Sequence, residues 1–128
     1  MGHFTLSPDR VWKDETARAL FSSNKYREMK LDGGGQPFCL GTAKGLLNAL
    51  EDVREKVIPG FNVPFSIAHG VDDFAVPIAG SKLLIEQSFT DEKDRSIRFV
   101  EGGFHDLLAD PTREETVEFH LKWIESRL

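Results

Sequence analysis

The chain has a single cysteine, Cys39, so it cannot form an internal disulfide. A disulfide scaffold is excluded, and a reducing compartment is the milder expectation. It has no excess of basic residues. The net charge is -5, with Lys and Arg scattered among acids (Lys13-Asp-Glu, Glu92-Lys-Asp-Arg). Phosphate-backbone binding needs clustered cations, so nucleic acid is not an expected partner. It has no apolar run long enough for a membrane-spanning helix. Its first residues lack the basic start and apolar core of a signal peptide, which makes a cytoplasmic location the expectation. There is no internal repeat, and the only low-complexity tract is Gly33-Gly-Gly. At 128 residues the chain is at most one domain.

Two stretches with strand character organise the chain. In residues 63–69, Val63, Phe65 and Ile67 alternate with Pro64, Ser66 and Ala68, and no charge falls on either face. That pattern predicts a strand covered on both sides, as in parallel sheets. In residues 96–100, Ile97 and Phe99 alternate with Ser96 and Arg98, which predicts a strand with one wetter face. Each strand runs into a loop bearing a titratable residue, Asp73 in the first and His105 in the second. Between them Pro77 is placed to open a helix whose apolar stripe is Ile78, Leu84, Ile85 and Phe89. Strand, helix, strand of this length is a crossover unit between parallel strands.

The remaining segments read as helices and joints. Residues 13–22 carry acids in their first turn, where the helix dipole favours them. Gly33-Gly-Gly-Gln-Pro cannot sit inside a helix or a central strand. Ala43, Leu46, Leu47, Leu50, Val53 and Val57 recur every three or four residues. They predict an amphipathic helix capped by Thr42, stopped by Pro59-Gly60, and lying across another surface. Thr112-Arg-Glu-Glu has the form of a capping box before a last helix with Val117, Leu121, Ile124 and Leu128 on one side.

Open parallel sheets place their chemistry just beyond the carboxyl ends of their strands. An Asp and a His delivered there by neighbouring strands form the acid–base half of a nucleophilic triad. The metal alternative, from His69, Asp72, Asp73 and His105, matches no ligand spacing. No metal or cofactor is expected. His69 reads as shaping the strand end, and His120 as a surface or boundary residue beside its helix's apolar stripe.

Val-Pro-Phe-x-x-x-His-Gly-x-x-Asp-x-x-Val-Pro at 63–77 and Glu-Gly-Gly-Phe-His-Asp-Leu at 101–107 together resemble the C-terminal part of an α/β-hydrolase. The similar branch is monoacylglycerol-lipase-like, grouped with serine aminopeptidase-type hydrolases. The resemblance implies an α/β fold with two parallel strands, a crossover helix, flanking helices and a helical lid. Residues 1–128 would be a single partial domain, with a lid-like segment over about 5–60 and the acid- and histidine-bearing β-α-β-α segment over 61–128. It implies Asp73, not Asp72, as triad acid and His105 as general base. Leu46, Leu47 and Leu50 of the lid helix would face a lipid or small ester substrate.

The family's Gly-x-Ser-x-Gly nucleophile elbow is missing from these residues. Pro37-Phe-Cys-Leu-Gly is the nearest imitation. Cys39 stands in the right order relative to Asp73 and His105, but glycines precede it instead of an apolar strand, and a plain thiol is the simpler reading. Two functions follow. One is a carboxylic ester (acylglycerol) hydrolase whose nucleophile is supplied elsewhere. The other is a truncated, catalytically inactive hydrolase acting as a protein-interaction module. In either case two strands leave an open sheet edge, so a homodimer or partner protein is expected there.

Overall fold

The computed structural model describes residues 8–21, 23 and 40–128. Two short helices come first, α1 (Pro8–Val11) and α2 (Glu15–Phe21). The Asp14 carboxylate accepts the Ala17 N–H at 2.8 Å, which satisfies one of the free donors at the start of α2. The next helix, α3 (Leu40–Asp52), runs on through a wider turn, Val53–Val57, and a tight turn, Ile58–Gly60. It starts ahead of Thr42, so that residue lies inside the helix and is not its cap. The stop at Pro59-Gly60 stands as the sequence requires.

Two parallel strands form the sheet, β1 (Phe65–Gly70) and β2 (Arg95–Val100), in register from Phe65 opposite Arg95 to Gly70 opposite Val100. Helix α4 (Ala79–Gln87) connects them, and α5 (Arg113–Glu125) closes the unit. Pro77 stands just ahead of α4 rather than in its first turn. The chain thus has the form of a partial α/β-hydrolase-like core with helical segments before it.

Strand parity decides which helix covers which face. On one face, His69 reaches Ser81 of α4, Arg95 donates to the Ile85 carbonyl, and the Lys82 ammonium lies 5.9 Å from the Phe99 ring centre. On the other, Ser66 meets His120 of α5 at 2.8 Å, and Arg98 pairs with Glu115. His120 is therefore a partly buried contact between sheet and helix, in keeping with its reading as a surface or boundary residue. Both strands stay half-buried along most of their length and are fully buried only at Gly70 and Val100. The full two-sided cover expected for residues 63–69 is not present among the described residues. One helix per face is too little to cover it.

The cap of α5 differs from the capping-box expectation. Thr112 makes no side-chain cap of its own helix. Buried Asp110 instead braces the turn just ahead of the helix, accepting from both the Thr112 N–H and its hydroxyl at 3.1 and 3.0 Å. The apolar core is small: Ile58, Val100 and Leu107 are its buried members among the described residues.

Candidate active site

The two loops beyond β1 and β2 are tied to one another by backbone. The Val71 N–H donates to the Val100 carbonyl at 2.9 Å, and the Asp72 N–H to the Gly103 carbonyl at 3.0 Å. This approach requires Gly70. A Cβ built there would sit 2.3 Å from the Gly103 carbonyl oxygen, well inside van der Waals contact. The edge-on rings of Phe74 and Phe104, 5.9 Å apart, join the loops further out.

That crossing delivers Asp73 to His105. The His105 Nδ1 lies 2.9 Å from Asp73 Oδ2. A carboxylate can only accept, so Nδ1 carries the proton. The other oxygen, Oδ1, accepts the N–H groups of Ala75 and Val76, both at 2.8 Å. This is a side-chain-stabilised turn, which Asp favours because its short carboxylate reaches its own downstream backbone. Burial pushes the Asp73 pKa upward. The Val76 N–H, the His105 hydrogen bond, the Ala75 N–H and the imidazole charge outweigh it, and the net effect is a lowered pKa. Asp72 is exposed, and its carboxylate makes no hydrogen bond to His105 among the described residues.

The two partners differ sharply in access. The Asp73 side chain is 4% exposed and that of His105 is 41% exposed. Nδ1 is committed to the carboxylate, and Nε2 of His105 has no hydrogen-bond partner among the described residues. A buried, ionised carboxylate holding one imidazole nitrogen, with the other open, is chemically equipped to take a proton from an incoming hydroxyl or thiol.

A second imidazole braces the acid loop. His69, 12% exposed, points Nε2 at the Val76 carbonyl at 3.0 Å and lies 3.4 Å from Asp73 Oδ2. A carbonyl only accepts, so Nε2 bears the proton and Nδ1 accepts from the Ser81 hydroxyl at 2.7 Å. His69 thus shapes the end of β1, as its position in the sequence suggests. Ser81 was not marked by any sequence pattern.

Cys39 lies outside the described residues. Leu46, Leu47 and Leu50 are exposed on α3, Leu47 at 67%. Among the described residues, no group of three or more His, Cys, Asp or Glu side chains gathers to hold a metal ion. No helix among them is long and apolar enough to cross a membrane. Sequence reading also missed Trp12, Lys13 and Asp106, which touch across the site's margin. The indole N–H donates to Asp106 Oδ2 at 2.9 Å, and Lys13 Nζ to the Gly102 carbonyl at 2.8 Å. A contact across 94 residues leaves no local periodicity to detect.

No protein-family model matches the chain. It is similar to a monoacylglycerol lipase of Mycolicibacterium smegmatis, 24% identical over 88 residues, which is 69% of this chain and 30% of that protein. It is also similar to an uncharacterized abhydrolase domain-containing protein of Dictyostelium discoideum, 26% identical over 125 residues, which is 97% of this chain and 12% of that protein. The chain thus spans less than a third of the length of either curated relative. These partial, distant matches, together with the parallel sheet and its flanking helices, link the chain to the α/β-hydrolase superfamily at a general level.

Proposed function

We propose that Asp73 and His105 are the acid and general base of a carboxylic ester hydrolase of the monoacylglycerol-lipase-like branch. The observation that carries this is the buried Asp73 carboxylate on the Nδ1 edge of an exposed imidazole whose Nε2 is open. In the reaction, Nε2 takes the proton of a nucleophile as it attacks the ester carbonyl, then returns it to the leaving alcohol. Asp73 fixes the tautomer and stabilises the imidazolium. The nucleophile and the oxyanion donors come from a segment other than the described residues. Residues of about 5–60 serve as a lid, and the exposed stripe of Leu46, Leu47 and Leu50 meets the acyl chain of an acylglycerol. The Mycolicibacterium relative is a monoacylglycerol lipase, which supports that substrate class.

The test is made on protein purified from its native source. Labelling by a fluorophosphonate probe and turnover of a monoacylglycerol support the reading. Asp73→Asn should lower turnover by about 10⁴-fold, because the amide turns the imidazole to the wrong tautomer. Turnover indifferent to Asp73→Asn and His105→Ala refutes the assigned roles.

A second reading has its own observation. Both sheet edges are unpaired among the described residues, and the α3 stripe is exposed. An inactive, truncated hydrolase would use those surfaces to bind a partner protein or a second copy of itself. A folded protein that does not react with the probe favours this reading.

A further inference from the structure

The corner between α1 and α2 holds the His105 loop at two points. Beyond the indole bond to Asp106, the Asp106 N–H donates to the Val11 carbonyl at 3.3 Å. Lys13 binds the Gly102 carbonyl. Gly102 lies three residues before His105 and Asp106 one after it, so the two attachments flank the imidazole. Gly102 adopts φ +67°, a conformation that costs glycine little and other residues more. A Cβ at that position would come within 3.1 Å of the Lys13 ammonium.

The loop needs such support. Residues 101–112 contain no helix or strand, and His105 itself is exposed. Within the β-α-β-α unit, the loop is tied through Gly103, the Phe74–Phe104 ring contact and buried Leu107, but the imidazole itself is held only by its Nδ1 bond to Asp73 among the described residues. A solvated imidazole on an unsupported loop would spend much of its time away from its carboxylate.

We propose that residues 11–13 form a strap that positions His105 against Asp73, so that displacing the α1–α2 corner releases the imidazole. The inference rests on reading Asp73 and His105 as the acid–base pair. Trp12 and Lys13 are positioning residues and touch no reacting atom. The indole bond is the stronger attachment, because it goes to a partly buried carboxylate and is charge-assisted. The lysine bond is exposed to competing water. Residues 11–13 fall within the proposed lid-like segment of about 5–60. Movement of that region would therefore reach the base directly.

The readout is the His105 Nδ1 proton, followed by NMR in the full chain. In the native chain it should be downfield and slow to exchange, and Asp73→Asn should abolish it. Trp12→Phe removes the indole N–H while leaving an aromatic ring in its place, and should speed its exchange by about tenfold. The double variant Trp12→Phe/Lys13→Met should lose the signal while the β1 and β2 amide resonances stay in place. Asp106→Asn, which keeps an acceptor oxygen, should retain the signal, and Asp106→Ala should not. An Nδ1 proton unchanged in the double variant overturns the strap. A proton unaffected by Asp73→Asn overturns the acid–base reading instead, so the two failures are distinct.

Discussion

Helix α3 and the β1-α4-β2-α5 unit carry equally clear apolar patterns; the unit has found partners for part of its own, while Phe89, Val117, Leu121 and Ile124 stay exposed as in α3. In the unit, α4 and α5 take opposite faces of one sheet, and Val100 and Leu107 are buried. In α3 and the turn after it, Leu46, Leu47, Leu50, Val53 and Val57 all remain exposed, and only Ile58 is buried. Periodicity fixes which side chains share a helix face. Whether that face is covered depends on other parts of the molecule. The unit also makes its long-range hydrogen bonds where its loops meet, and there the candidate site forms.

Glycine substitutions should separate the two regions most strongly. Gly70→Ala drives a Cβ into a backbone carbonyl that cannot move aside without parting the loops. It should cost about 3 kcal/mol or more in chemical denaturation. Gly45→Ala in α3 meets nothing within 4 Å and should stabilise the helix by about 1 kcal/mol. Equal effects at the two sites would mean that the loops are not packed as described.

Side-chain truncation should give the next largest contrast. Leu107→Ala should destabilise by about 2–3 kcal/mol, since it leaves a cavity in a small core. Leu47→Ala should change stability by less than about 0.5 kcal/mol, as expected for an exposed site. A large loss at Leu47 would show that α3 is covered in solution. Asp110→Ala should cost about 1 kcal/mol through the lost hydrogen bonds to Thr112 in the turn before α5, read from the same denaturation curves.

Acid should act on the unit through Asp73. Asp73 is held below the ordinary carboxylate range, so it binds protons less readily folded than unfolded. Its contribution to stability is complete above the unfolded carboxylate pKa and fades as pH falls through the lower folded value. In Asp73→Asn that part of the acid dependence should vanish, measurable as a flatter stability profile at low pH.

The sequence made the site legible where chemistry and chain direction coincide. His-Gly-x-x-Asp at the end of one strand and Gly-Gly-Phe-His at the end of the next are local patterns. Their meeting follows from parallel pairing alone, and Asp73 and His105 meet at 2.9 Å. The two strands and the helices around them were legible for the same reason. Caps were less so: Thr42 and Thr112 have suitable side chains, but a cap depends on the local turn, and the Thr112 hydroxyl is bonded to Asp110 instead. The strap from Trp12 and Lys13 and the Ser81–His69 brace were not legible. Each joins elements that only the tertiary fold brings together.

The central claim is that Asp73 fixes the tautomer of His105, and the nitrogen chemical shifts of the His105 ring test it most directly. With the imidazole neutral, the native chain should show the proton on Nδ1, and Asp73→Asn should move it to Nε2. The same tautomer in both proteins would contradict the account.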